Sequence, residues 1–209
     1  MHLLDLPGSE GIRVELKYAT TDNVAKKNVY GKMKTAYFMK DFAEKIIKAH
    51  QAMKLSMGSD GVMYGGIIIY DAARPNSVQK YMYSVAPTVF AKPYGDGNKG
   101  SLHSYGRAVD LTICDSFGKP LDMGAEFDTD DKNKSRSRYK ADKAFSLEAT
   151  KKYADENFAN QGQVKAARQF LYKHMKNAGL EVISNEWWHF QEIADNNDKC
   201  RKKGKLLDF

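Results

Sequence analysis

The sequence predicts an α+β fold, a mainly antiparallel sheet with helices packed on it. Three observations lead there. Segments of strand period and of helix period are mixed along the chain without a regular βαβ rhythm. The 209 residues are 42% hydrophobic, a globular share that excludes a disordered chain. The longest apolar cluster, around Ile67 to Tyr70, has the length of a buried strand and falls well short of the roughly 18 apolar residues of a membrane helix.

The elements follow in order. Ile12 to Tyr18 alternates apolar and polar residues, the period of a half-buried strand. From Tyr37 to Met57, apolar residues recur at Met39, Phe42, Ala43, Ile46, Met53 and Met57, with Lys and Glu between them. This is an amphipathic helix, ended by Gly58-Ser59-Asp60-Gly61. Gly66 to Asp71 reads as a buried strand. Pro75-Asn76-Ser77 starts a helix through Tyr83, with Asn76 or Ser77 as its cap. Ala91 to Ser101, with Pro93, Gly95, Gly97 and Gly100, is a loop. Ala108 to Ile113 is a strand, and the charged stretch Asp128 to Lys143 reads as an exposed loop. Gln163 to Ala178 carries Val164, Ala167, Leu171, Met175 and Ala178 on one helical face, closed by Gly179. Leu180 to Ile183 and Trp187 to Gln191 are two strands around a turn at Ser184-Asn185. A chain of this length accommodates one large domain or two small ones.

The formal net charge of +7 invites a nucleic-acid reading. The basic residues, however, are scattered or mixed with Asp, without interleaved aromatics at base-stacking spacing. The expectation is therefore no nucleic-acid partner. Two cysteines, Cys114 and Cys200, lie far apart in sequence and read as free thiols, one long-range disulfide being the alternative. Met1 to Glu10 has neither the basic start nor the long apolar core of a signal peptide. The expectation is a cytoplasmic protein, or a periplasmic one if the chain is a mature or trimmed form.

Chemistry concentrates at three segments. In Ser101-Leu102-His103-Ser104-Tyr105-Gly106-Arg107-Ala108-Val109-Asp110, a histidine and a carboxylate flank a glycine. Their odd separation would place them on opposite faces of an unbroken strand, so the chain must turn or bulge between them, and Gly106 permits it. In Glu186-Trp187-Trp188-His189-Phe190, a carboxylate stands three residues before a histidine, beside two indoles that desolvate it and suit it to taking a proton. If the segments converge, two imidazoles and one carboxylate make a three-ligand zinc site with a fourth position for water, and the further Glu takes that water's proton. In Tyr70-Asp71-Ala72-Ala73-Arg74-Pro75, an arginine leaves a buried strand. It either stabilises an oxyanion beside the metal or pairs with Asp71 at the surface. Of the remaining histidines, His50 and His174 read as surface or boundary residues and His2 as part of a frayed terminus.

Together the three segments resemble the zinc D,D-dipeptidases of the VanX type, within a larger group of peptidoglycan D,D- and L,D-peptidases. Ser101 to Asp110 fits the Ser-x-His-x-x-Gly-x-Ala-x-Asp motif, Glu186 and His189 the Glu-x-x-His motif, and Arg74-Pro75 the Arg-Pro after a strand. Leu16 to Asn23 and Leu121 to Asp128 look like further elements of the dipeptidase branch. The resemblance implies a single domain over residues 1–209, one Zn2+ per chain and a small D,D-dipeptide substrate. It implies His103, Asp110 and His189 as zinc ligands, Glu186 as general base and Arg74 as the group stabilising the transition state. Asp128 would hold the substrate's ammonium, with Ser101 and Tyr18 lining the pocket. The implied reaction is hydrolysis of D-Ala-D-Ala. The alternatives are a D,D-carboxypeptidase or endopeptidase acting on peptidoglycan stems, and a zinc-containing module without activity. Ala72-Ala73 departs from the Gly-Tyr of some relatives, and Thr129 to Lys143 has no counterpart.

Overall fold

The computed structural model describes residues 1–56, 61–88, 90–124, 126–128, 161–182, 186–193 and 201. Among them, five strands form one sheet: β1 (Ile12–Val14), β2 (Gly66–Asp71), β3 (Ala108–Cys114), β4 (Leu180–Val182) and β5 (His189–Glu192), in the order β1-β2-β3-β5-β4. Only the β1–β2 pair is parallel, and the other three pairings are antiparallel. Among the described residues, α1 (Lys40–Leu55), α2 (Asn76–Val85) and α3 (Gln161–Asn177) accompany the sheet. The α+β architecture expected from the sequence is the one observed.

Pleating gives the sheet two unlike faces. Ile67, Ile69, Val109, Leu111 and Ile113 join the main core with Phe42, Ile46, Met53, Phe170, Leu171 and Met175 of α1 and α3. Ile68, Tyr70 and Cys114 form a separate small cluster on the other face. Asp110 shares the strand phase of Thr112 and Cys114, so it points away from the helices. Between Ile69 and Asp71 the register shifts by a bulge that leaves Asp71 opposite Asp110. A strand that is apolar up to its last residue therefore delivers a carboxylate to the polar face at its end.

Some boundaries differ from expectation. β1 stops at Val14, and Lys17–Ala19 winds into a 3-10 turn that carries Tyr18 inward. α2 begins at Asn76 behind Pro75, with no side-chain cap. Trp187 and Trp188 occupy a turn before β5 rather than the strand itself. His50 and His174 are buried, not superficial. The reason is helical phase: His50 follows Ile46 by four residues and His174 follows Phe170 by four, so both lie on the apolar stripe despite charged neighbours. Each is satisfied there, His50 by Tyr64 and the Glu10 carbonyl, His174 by the Phe170 carbonyl and Ser56. Asp128 is also buried, contrary to its expected place in an exposed loop. The rest of that loop, the turn at Ser184-Asn185, the helix-ending residues 57–60 and Cys200 lie outside the described residues. Cys114 is a buried free thiol.

Candidate active site

The Ser101 to Asp110 segment makes the turn its spacing demanded. Leu102–Tyr105 is a 3-10 turn, and Gly106 closes it at φ 63°, ψ 30°, a left-handed conformation that glycine adopts without steric cost. Ser101 caps the turn by accepting a hydrogen bond from the His103 N–H at 3.3 Å. The chain then enters β3, where Asp110 stands opposite His189 of β5. Residues paired across a ladder present their side chains to one face, so the pairing and the turn together assemble the site.

His103 Nε2, His189 Nδ1 and Asp110 Oδ1 converge. The two nitrogens are 3.2 Å apart, and the oxygen lies 2.9 Å from His189 Nδ1 and 3.5 Å from His103 Nε2. All three residues are buried, and among the described residues they form the one group of His, Cys, Asp or Glu side chains compact enough to hold a metal ion. The other nitrogen of each ring fixes the tautomer. His103 Nδ1 lies 2.8 Å from the Ala72 carbonyl, and His189 Nε2 lies 3.0 Å from Gln191 Oε1. Both partners are acceptors, so both protons sit on the outer nitrogens and both lone pairs point inward. Three electron-pair donors at such distances, with no proton of their own between them, fit a bound cation. A proton competes with such a cation for the same inner lone pairs. Burial opposes charge on Asp110, yet the two imidazoles hold its carboxyl below the ordinary carboxylate range. Burial likewise opposes charge on His189, yet Asp110 raises that imidazole above its ordinary value.

Glu186 stands beside this trio. Its Oε2 is 3.8 Å from His189 Nδ1, and its side chain, 18% exposed, is the most open of the four. The indoles of Trp187 and Trp188, edge-on at 5.5 Å, pack in the same turn.

Arg74 does not form the surface pair considered for it. It is buried with Asp71, whose Oδ2 accepts from Nε at 3.2 Å and also from Nη2. Gln79 Oε1 accepts from Nη1 at 2.8 Å. Burial disfavours the guanidinium charge, but the Asp71 carboxylate outweighs it and holds the group well above its already high value. The Arg74 N–H donates to the His103 carbonyl at 3.0 Å, and Asp71 Oδ2 lies 3.7 Å from His103 Nδ1, so this pair is built against the trio.

Tyr18 and Asp128 form the last part. The Tyr18 hydroxyl donates to Asp128 Oδ2 at 2.6 Å, and the Arg74 guanidinium stacks 5.2 Å from the Tyr18 ring centre. Burial, then the Asp128 charge, pushes the Tyr18 phenol upward, so it remains a neutral donor. Phe127 sits against Tyr18, Tyr70 and Trp188, an aromatic wall next to Asp128. Beyond it the same sheet face opens into a cavity of about 500 Å3 bounded by Tyr70, Thr112, Phe127 and Trp187.

This geometry can be set beside known proteins. A family model described as D-ala-D-ala dipeptidase (Peptidase_M15) matches residues 5–203. The chain belongs to this peptidase family. Among curated relatives, it is 31% identical over 184 residues to the D-alanyl-D-alanine dipeptidase of Escherichia coli (strain K12), covering 86% of this chain and 78% of that one. It is 28% identical over 199 residues to the D-alanyl-D-alanine dipeptidase of Enterococcus faecium, covering 86% and 85%. It is 26% identical over 153 residues to that of Synechocystis sp. (strain ATCC 27184 / PCC 6803 / Kazusa), covering 60% and 59%. No helix among the described residues is long and apolar enough to cross a membrane.

All eight residues singled out from the sequence thus fall in one region: the trio with Glu186, Arg74 built against it through Asp71, Tyr18 with Asp128, and Ser101 capping the turn that carries His103. The sequence reading missed the residues that hold these in place. Gln191 had a legible signal, since on a strand a residue two beyond His189 faces the same side. Asp71 was visible only as a surface partner, and nothing local marks Gln79 or Tyr30, whose hydroxyl donates to Asp71.

Proposed function

We propose that this protein is a single catalytic domain over residues 1–209 that holds one zinc ion and hydrolyses the D-Ala-D-Ala dipeptide to two molecules of D-alanine. The observation that carries the reading is the convergence of His103 Nε2, Asp110 Oδ1 and His189 Nδ1 with Glu186 beside them. Two imidazoles and a carboxylate suit zinc. A zinc ion held by His103, Asp110 and His189 would supply Lewis acidity toward a carbonyl oxygen and toward a water.

The chain's own residues have separate tasks. Glu186 takes a proton from the attacking water as the C–O bond forms, then hands it to the amine as the C–N bond breaks. Arg74 meets the negative charge that develops on the carbonyl oxygen. A donor already held in a buried site needs no reorganisation at that moment, and Asp71 and Gln79 provide the hold. Asp128, 4% exposed, receives the substrate's ammonium group, while Tyr18 orients it and Ser101 and Phe127 bound the pocket. A buried counter-charge with an aromatic wall behind it favours a substrate that ends there, a dipeptide over a longer stem.

The test is release of D-alanine by the zinc-loaded protein from D-Ala-D-Ala, beside L-Ala-L-Ala and a D-Ala-D-Ala-terminated pentapeptide. The expected result is release from the D,D-dipeptide alone, abolished in Glu186→Gln while zinc still binds. Cleavage of the pentapeptide would move the protein to the carboxypeptidase alternative. Full activity of Glu186→Gln would overturn the role given to that residue.

A further inference from the structure

The segment that grips Asp128 is held together by one buried side chain. Asn23, 3% exposed, places its Nδ2 within 3.0 Å of the Lys17 carbonyl, 2.8 Å of the Thr20 carbonyl and 3.0 Å of the Lys27 carbonyl. The loop from residue 17 to residue 27 is thereby tied at its start, middle and end by a single amide group, two protons serving three acceptors. On the other side of the carboxamide, Oδ1 is buried with no hydrogen-bond partner among the described residues. An unpaired buried acceptor is unfavourable, and it is the donor side of the carboxamide that ties the side chain in place.

What the tied loop presents is specific. The residue after Asn23 donates its backbone proton, Val24 N–H, to Asp128 Oδ2 at 3.1 Å. The residue after Lys17 donates its hydroxyl, Tyr18 Oη, to the same oxygen at 2.6 Å. The Tyr18 carbonyl in turn accepts from the Val29 and Tyr30 N–H groups at 2.9 and 3.0 Å, which fixes the backbone on which the phenol stands. Two donors to Asp128 therefore come from one loop, and one amide ties the start, middle and end of that loop together. Asp128 itself sits at φ 54°, a left-handed conformation that aspartate tolerates better than most residues but that still needs support from its surroundings.

We propose that Asn23 is a positioning residue for recognition of the substrate's ammonium group. By binding the Lys17, Thr20 and Lys27 carbonyls, it holds the Tyr18 hydroxyl and the Val24 N–H on one oxygen of Asp128 and so sets the direction in which that carboxylate meets the ammonium. The inference rests on the role given to Asp128 above. It assigns Asn23 no contact with the reacting atoms, so loosening it weakens ammonium capture and leaves the chemical step in place.

Asn23→Asp keeps the shape and removes both donors. In the metal-loaded protein, KM for D-Ala-D-Ala should rise about 10-fold, the scale of one loosened charge-assisted hydrogen bond, with kcat within about 2-fold of the parent. Propionyl-D-alanine, which has the same outline without the ammonium, should bind parent and variant equally by calorimetry. An unchanged KM, or a fall in kcat alone, overturns the proposal. So does equal weakening of D-Ala-D-Ala and propionyl-D-alanine, which would mean general damage to the pocket. Asp128→Asn separates the two levels. If it leaves KM unchanged, the role of Asp128 fails; if it raises KM and Asn23→Asp does not, only the role of Asn23 fails. The double variant should be no worse than Asp128→Asn alone, and full additivity would refute the linkage. If circular dichroism shows Asn23→Asp unfolded, Asn23→Ser, which keeps one donor, is read by the same criteria.

Discussion

Replacing Asp71 by Asn tests how Arg74 is held. Asp71 is fully buried and accepts from four donors: Arg74 Nε and Nη2, the Tyr30 hydroxyl, and the Ala72 N–H at 2.8 Å. Asparagine has the same size but brings its own donor and no charge. In either orientation of its amide, an N–H faces another donor, and the Arg74 guanidinium stays buried without its counter-ion. Removing one partner of a buried pair costs about 3–5 kcal/mol. At about 2–4 °C per kcal/mol for a chain of this size, Tm should fall by roughly 6–20 °C. The assay is calorimetric unfolding of chelator-treated protein, so that metal binding does not mask the difference. In the metal-loaded protein kcat/KM should fall about 100-fold, the cost of misplacing a catalytic group by around an ångström. Adding Arg74→Met removes the stranded charge and should restore part of the stability but none of the activity. A single variant within about 1 °C of the parent, or a double variant less stable than the single one, would refute the reasoning.

Three further expectations can be checked on the same protein. Gln191→Leu removes the acceptor that orients His189 Nε2–H, and metal affinity should drop about 10–100-fold in a chelator competition. Gly106→Ala forces a side chain into φ 63°, a strain of roughly 1–2 kcal/mol that should lower Tm by about 2–8 °C, and Gly106→Asn should cost less. His50 has its pKa lowered, first by burial and further by Lys54, against a raising contribution from its bond to the Glu10 carbonyl. The unfolded chain therefore takes up this proton first. Stability from His50 is complete above about pH 6.5 and declines as pH falls through the folded value. Urea unfolding between pH 5 and 7.5 should show that decline, and His50→Gln should flatten it. A variant with the parent's full acid slope would assign the slope to other groups.

Much of the fold was readable because its signals are local. Gly66 to Tyr70 is an unbroken apolar run, and the expected strand Gly66 to Asp71 is β2 to the residue. Gly179 stops α3 at φ 86°, as a glycine after a helix does. The odd spacing of His103 and Asp110 required a turn or a bulge near Gly106, because an unbroken strand puts the two on opposite faces. The candidate ligands, the base and Arg74 could likewise be picked from short motifs. The charge of their neighbours places His50, His174 and Asp128 nearer the surface than they lie. What decides their burial is helical phase for the two histidines and, for Asp128, two donors from a loop more than 100 residues away in sequence.

By itself, then, the sequence determined the α+β class, the strand and helix periods and the chemical inventory of the site, all of which depend on residues close together in the chain. Only the tertiary structure decided how that inventory is held. The pairing of Asp110 with His189, the bulge that turns Asp71 to the polar face, the Ala72 carbonyl that aims the His103 imidazole inward and the Tyr18 and Val24 donors on Asp128 join segments distant in sequence. Register and hydrogen-bond partnership of this kind are set by the packing of the whole sheet, and no short stretch of residues encodes them.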